Sequence, residues 1–343
     1  MKHATTGFGA ELVDLRGAVD MHLHTHPCLF PRLVDDLEVA LEARAAGLRA
    51  IVMKCHHESS VSRAYYMRSL VPGLEVFGGI VLNSYVGYVN PAAVDAALRF
   101  GGKVVWMPTA DAGYHAQVHG STGNYGTQAG GREEADGYWV LDDKDQLKPE
   151  VIEVLKLIAE HNVILATCHL SPKEIVALVK RAKQEGVQKI IITHPFYKVP
   201  NLDIDTLEEL TRMGAYAEFI YTGVSPFWAA TTVDQITSAV RRLGASQCLL
   251  VSDSGQRHNP IAPEALRLFA QMLLEKGVPT KEIDQMIKNN PADLLDLDTQ
   301  APPQVSPVSL DALMAAQLAA NKAARAAEEP AKGVLSEGHG CCH

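Results

Sequence analysis

Eight short apolar runs, each followed by a longer amphipathic segment, recur along most of this 343-residue chain. No other feature constrains the fold as much. The apolar runs are residues 17–23, 48–54, 75–82, 103–108, 163–168, 189–194, 215–221 and 248–253. Runs such as KIIITH and VILATC are continuously apolar rather than alternating, as strands covered on both faces are. The segments at 33–47, near 60–71, and at 91–100, 150–161, 171–186, 204–214, 232–244 and 263–277 have helical periodicity. Several of them begin at Ser, Thr, Asp or Pro and end at Gly, as helix capping requires. Eight strand–helix units predict a (β/α)8 barrel, since parallel strands are joined by right-handed helical crossovers. The alternative is an open doubly wound sheet, but no GxGxxG follows the first run.

Two regions break the rhythm. Residues 109–149 are rich in Gly, His and Tyr and contain GYWVLDDKDQ, which reads as a small hairpin within an active-site lid inserted after the fourth strand. Beyond residue 300 come APPQVSPVS, an Ala-rich helix candidate at 309–328 and a tail ending HGCCH. The expected organisation is therefore a barrel over 1–300 and a C-terminal helix with a flexible tail over 301–343. The 31 Lys and Arg against 40 Asp and Glu, with no dense basic run, argue against nucleic-acid binding. No apolar stretch approaches the roughly 20 residues of a membrane span, and MKHATTGFGAELVDLRG has no apolar leader, so a cytoplasmic protein is expected. Of six cysteines, Cys55, Cys168 and Cys248 lie in apolar runs, as reduced buried thiols do, and Cys341 and Cys342 stand apart.

The first run closes on Asp20-Met21-His22-Leu23-His24. Side chains at i and i+2 of a strand share a face, so His22 and His24 can aim at one ion, although such a pair is as often simply hydrogen-bonded in a core. Three more ligand-type residues, His169, His194 and Asp253, end the fifth, sixth and eighth runs. In a closed barrel those ends meet at one mouth.

This constellation resembles the amidohydrolase superfamily, and the resemblance extends over residues 17–297, including KNNPADLLDL at 288–297. It implies a divalent ion held by His22, His24 and Asp253, with His169 and His194 completing one or two sites. Zn2+ suits such ligands best, with Mn2+ or Fe2+ as alternatives. It further implies hydrolysis of an amide, cyclic amide, lactone or ester bond in a polar small molecule by a water whose pKa the ion lowers towards roughly 7. Asp253 would shuttle the proton. The same scaffold hosts phosphoester hydrolases, deaminases and decarboxylases. A rival of another class is a silent, metal-stabilised barrel whose tail serves assembly, and formation of a homo-oligomer is left open.

One departure concerns the fourth strand, which ends Trp106-Met107-Pro108-Thr109 and offers no Lys or Glu to bridge two ions. The second run instead ends Lys54-Cys55-His56-His57-Glu58. Lys54 joins Asp253 and His194 as a catalytic candidate, chiefly as a contact for a substrate anion. His56 and His57, the loop histidines His115 and His119, and Arg257 and His258 just past Asp253 are the candidate substrate contacts. Tyr125, Arg132 and Lys198 are weaker ones. Glu218, a carboxylate in an apolar run, needs a partner and reads as a ligand or as a group orienting a histidine. His26 reads as a lining residue, and the terminal His339, Cys341, Cys342 and His343 lack the spacing of a structural zinc site.

Overall fold

The computed structural model describes residues 12–125 and 130–297. Strands β1 (Val19–Leu23), β2 (Ala50–Met53) and β3 (Glu75–Phe77) pair in that order. So do β4 (Gly79–Val81), β5 (Val104–Trp106), β6 (Ile164–Ala166), β7 (Lys189–Thr193), β8 (Ala215–Ile220) and β9 (Cys248–Val251). Every pairing between consecutive strands is parallel. The run at 75–82, expected as one strand, is two: β3 pairs back onto β2 and β4 forward onto β5, with the break at Gly78. A Cβ at Gly78 would lie 2.6 Å from the Ser60 carbonyl oxygen, so backbone passes too closely there for any side chain. The ring closes between the first and last strands. The Asp253 amide donates to the His22 carbonyl and the His24 amide to the Ser254 carbonyl, both at 2.8 Å. Eight strand positions in a closed parallel ring make the predicted (β/α)8 barrel, and the open sheet is excluded.

The crossovers are α1 (Asp36–Ala45), α2 (Val61–Leu70), α3 (Pro91–Arg99), α4 (Gly113–His119), α5 (Pro149–Glu160), α6 (Pro172–Gln184), α7 (Ile204–Arg212), α8 (Tyr221–Val224), α9 (Val233–Leu243) and α10 (Ala262–Glu275). After them come α11 (Thr280–Asp284) and α12 (Asn290–Leu295). The caps are the ones the sequence advertises. Asp35 with Glu38 and Ser171 with Glu174 form reciprocal capping boxes for α1 and α6, satisfying backbone donors that no helical carbonyl reaches. All five residues of β1 are buried, as the continuous apolar pattern requires.

The insertion departs from expectation in part. Its predicted hairpin is a single antiparallel bridge between Leu141 and Leu147, and α4 within it is a helix that the sequence reading did not foresee. Glu174 fastens it to the barrel by accepting from the Val140 amide at 2.7 Å while still capping α6. The helix candidate at 309–328, the HGCCH tail and the boundary near residue 300 lie outside the described residues. Among those described, no helix is long and apolar enough to cross a membrane.

Candidate active site

The strand ends bring His22, His24, Lys54, His169, His194 and Asp253 to the wall of one cavity. The backbone there is unusual. Cys168, His194 and Asp253 have φ of 52°, 32° and 45°, left-handed values uncommon outside glycine though less so for Asp and His, and one sits at or beside each turn-out from β6, β7 and β9. The surroundings enforce this geometry at Asp253: its carbonyl accepts from Thr222 Oγ1 at 2.6 Å and Gln256 Nε2 at 3.0 Å. Two residues on, Gly255 has φ 142°, and a Cβ there would lie 2.1 Å from the His24 carbonyl oxygen. Gly255→Ala is therefore expected to cost about 1–3 kcal/mol, read as a lowered thermal midpoint. An unchanged midpoint would mean that the His24 strand end yields to the added methyl.

His24 Nδ1 donates to the Lys54 carbonyl at 2.9 Å, so its Nε2 carries a lone pair. That Nε2 lies 3.1 Å from Asp253 Oδ1, and so does His22 Nε2. Burial holds His24 well below the usual imidazole range and His22 down at about 3, so both rings are neutral. Neutral nitrogens and a carboxylate oxygen facing one another are all electron donors, an arrangement that a shared cation satisfies. The ligand atoms of His22, His24 and Asp253 lie within 4.8 Å of one another. His194, likewise held at about 3 by burial, has a buried Nδ1 with no partner. Two imidazoles and a carboxylate at this spacing, with an orphaned third imidazole beside them, fit a divalent ion.

The groups behind these rings set their orientation. Glu218 Oε1 contacts His22 Nδ1 at 3.0 Å, and burial pushes this carboxyl up to about 8. It touches His22 from behind and does not line the cavity. On the other side, His115 Nε2 donates to the Asn124 carbonyl at 2.8 Å. Its Nδ1 must then accept from His169 Nδ1, 2.8 Å away, which turns a lone pair on His169 Nε2 towards the cavity. His56 differs. Asn83 Nδ2 donates to Thr109 Oγ1 at 2.7 Å, and the Thr109 hydroxyl then donates to His56 Nδ1 at 2.8 Å. His56 Nε2 is left protonated, so it offers a hydrogen bond rather than a lone pair.

A model described as a family of unknown function, DUF6282, matches residues 17–218. The chain belongs to DUF6282. No curated protein matches its sequence. Among solved structures, this DUF6282 chain is similar to an amidohydrolase from Pseudomonas aeruginosa, with a TM-score of 0.53 and 11% identity over 81% of this chain and 95% of that one. A putative 2-pyrone-4,6-dicarboxylic acid hydrolase from Pseudomonas putida gives 0.52 and 13% over 83% and 99%. A phosphotriesterase homology protein from Escherichia coli, solved with phosphate in its active site, gives 0.52 and 13% over 82% and 99%. At such identities the likeness is one of fold, and it bears out the (β/α)8 barrel.

Within this DUF6282 barrel the predicted ligands and Lys54 and His56 come together, with Lys54 Nζ 3.1 Å from His22 Nε2. Tyr125, from the insertion, also reaches the cavity. His57, His115, His119, Arg257 and His258 do not line it. His115 acts through His169, His119 stacks on His115, and the exposed Arg257 and His258 sit on the rim, His258 stacked on Phe227 at 4.0 Å. His26 donates to the Arg32 carbonyl instead of lining the cavity. The sequence reading missed Arg32, Tyr197, Thr222 and Trp228, all on the wall. The family match stops at Glu218 and so leaves out Asp253. The one available signal for the missed residues was position, since they follow strands whose loops face the mouth.

Proposed function

We propose that this protein is a metal-dependent hydrolase that cleaves a lactone, ester or amide bond in a small substrate carrying a carboxylate. The observation that carries the reading is the pairing of the His22, His24 and Asp253 donor cluster with two buried cations, Lys54 and Arg32, on one cavity wall. Among the described residues neither cation has a carboxylate within ion-pair distance, and the Nε of Arg32 is buried without a partner. A buried cation that the protein supplies with no carboxylate is a receptor for an anionic group. The fold likeness to a hydrolase of a pyrone dicarboxylic acid agrees with this polarity.

His22, His24 and Asp253 would hold the ion, with His169 and His194 beside it. When bound, a divalent ion supplies Lewis acidity that polarises a carbonyl and acidifies a water. Asp253 takes the proton of the attacking water and returns it to the leaving group. Lys54 and Arg32 fix the substrate carboxylate, and His56 Nε2 donates to a substrate oxygen. The His115–His169 and Glu218–His22 contacts keep the imidazoles in register.

The test is turnover of the metal-loaded protein on carboxylated lactones, esters and amides beside their neutral analogues and phosphoesters. Arg32→Leu should raise KM for the carboxylated substrates by about 10- to 100-fold, the worth of a hydrogen bond to a charged group, and leave neutral analogues little changed. Preference for neutral substrates, or for phosphoesters over all carboxylated ones, would overturn the assignment.

A further inference from the structure

Cys28, which the sequence pattern does not single out, lies on the loop between β1 and α1, beside the cluster that follows β2. Its Sγ is 3.8 Å from His57 Nδ1, and the ligand atoms of Cys28, Cys55 and His57 all lie within 4.8 Å of one another. We propose that Cys28, Cys55 and His57 form a second metal site, thiolate-rich and specific for a soft divalent ion such as Zn2+, separate from the imidazole–carboxylate site in the cavity.

Geometry comes first. Tetrahedral zinc with bonds of about 2.3 Å to sulfur and 2.0 Å to nitrogen sets its ligands roughly 3.5–3.8 Å apart. The Cys28–His57 spacing is already of that size. The chemistry agrees, because two thiolates cancel the charge of a divalent ion, and sulfur ligands select zinc over the harder ions that carboxylates favour. Cys55 is buried and Cys28 and His57 are half-buried, so the ion has an entry path and three protein ligands, with a fourth position left for water. Both thiols lose their protons when such an ion binds, because the thiolate is the metal ligand. The loop that carries Cys28 is held from behind: Arg63 donates to the Pro27 and His26 carbonyls, both at 3.0 Å. His57 is braced by the Tyr85 ring, with centroids 4.8 Å apart. An ion here would tie the β1 loop to the end of β2, next to His56 on the cavity wall.

The experiment strips the full-length protein with a chelator, reloads it with Co2+ and reads two things: total metal per chain and the near-ultraviolet charge-transfer band that cobalt gives with thiolates but not with imidazole or carboxylate. The expected result is a thiolate–cobalt band in the unmutated protein. That band and one equivalent of metal should be lost in Cys28→Ser/Cys55→Ser and kept in Cys341→Ser/Cys342→Ser. In case the double variant fails to fold, alkylation of the unmutated protein is mapped with and without Zn2+, and metal should protect Cys28 and Cys55. The proposal is overturned by absence of the band, by its loss in the Cys341/Cys342 variant instead, by equal alkylation with and without zinc, or by a Cys28–Cys55 disulfide in place of bound metal.

Discussion

Asp253→Asn is expected to keep its metal and fold while kcat falls by about 100- to 10,000-fold, the usual contribution of a general acid–base group. The substitution preserves shape and one oxygen near His22 and His24, whose Nε2 atoms each lie 3.1 Å from Asp253 Oδ1. It removes the negative charge and the basicity. The backbone should hold, because Thr222 and Gln256 grip the Asp253 carbonyl, not its side chain. Elemental analysis together with turnover on a responsive substrate separates the two roles. Turnover near the wild-type rate would remove Asp253 as the proton carrier. His56 is poorly placed to replace it, because the Asn83–Thr109 relay leaves its cavity-facing nitrogen already protonated.

The second large effect concerns stability. An ion that binds only the folded barrel adds about 4 kcal/mol at a thousandfold excess over its dissociation constant, on the order of 10 °C in the melting midpoint. His22→Asn/His24→Asn should lose that response to added Zn2+, with metal content falling by at least one equivalent. The stripped wild-type protein sets the comparison, since it still carries the neutral imidazoles and the carboxylate facing one another with only the Lys54 ammonium, 3.1 Å from His22 Nε2, beside them. If metal left the wild-type midpoint unmoved, the donor cluster would not be an ion site. Residual metal in the variant would report the thiolate cluster, so the Cys28→Ser/Cys55→Ser background distinguishes the two sites.

Much of this molecule follows from its sequence read as a line. Eight continuous apolar runs alternating with capped amphipathic segments left few ways to bury both faces of each strand, and a closed barrel was the simplest. Its order then put His22, His24, His169, His194 and Asp253 at one mouth, because all parallel strands end on the same side. Those are positional facts, fixed by counting along the chain.

What counting cannot supply is contact between side chains brought together from loops. Arg32 and Lys54 share a wall although 22 positions separate them. His115, expected to touch substrate, instead locks His169, a relation visible only once the insertion lies over the barrel. The run at 75–82 broke at Gly78 because backbone from Ser60 crosses it there, a clash set by tertiary packing and not by propensity. Cys28 carried no signal of its own, since a lone cysteine in a loop gains meaning only from Cys55 and His57 beside it. The sequence determined which strand ends face the mouth, because strand order and parity are local and periodic. The tertiary structure decided which nitrogens keep a lone pair and which cations lack a carboxylate partner, because hydrogen-bond partners are chosen in space.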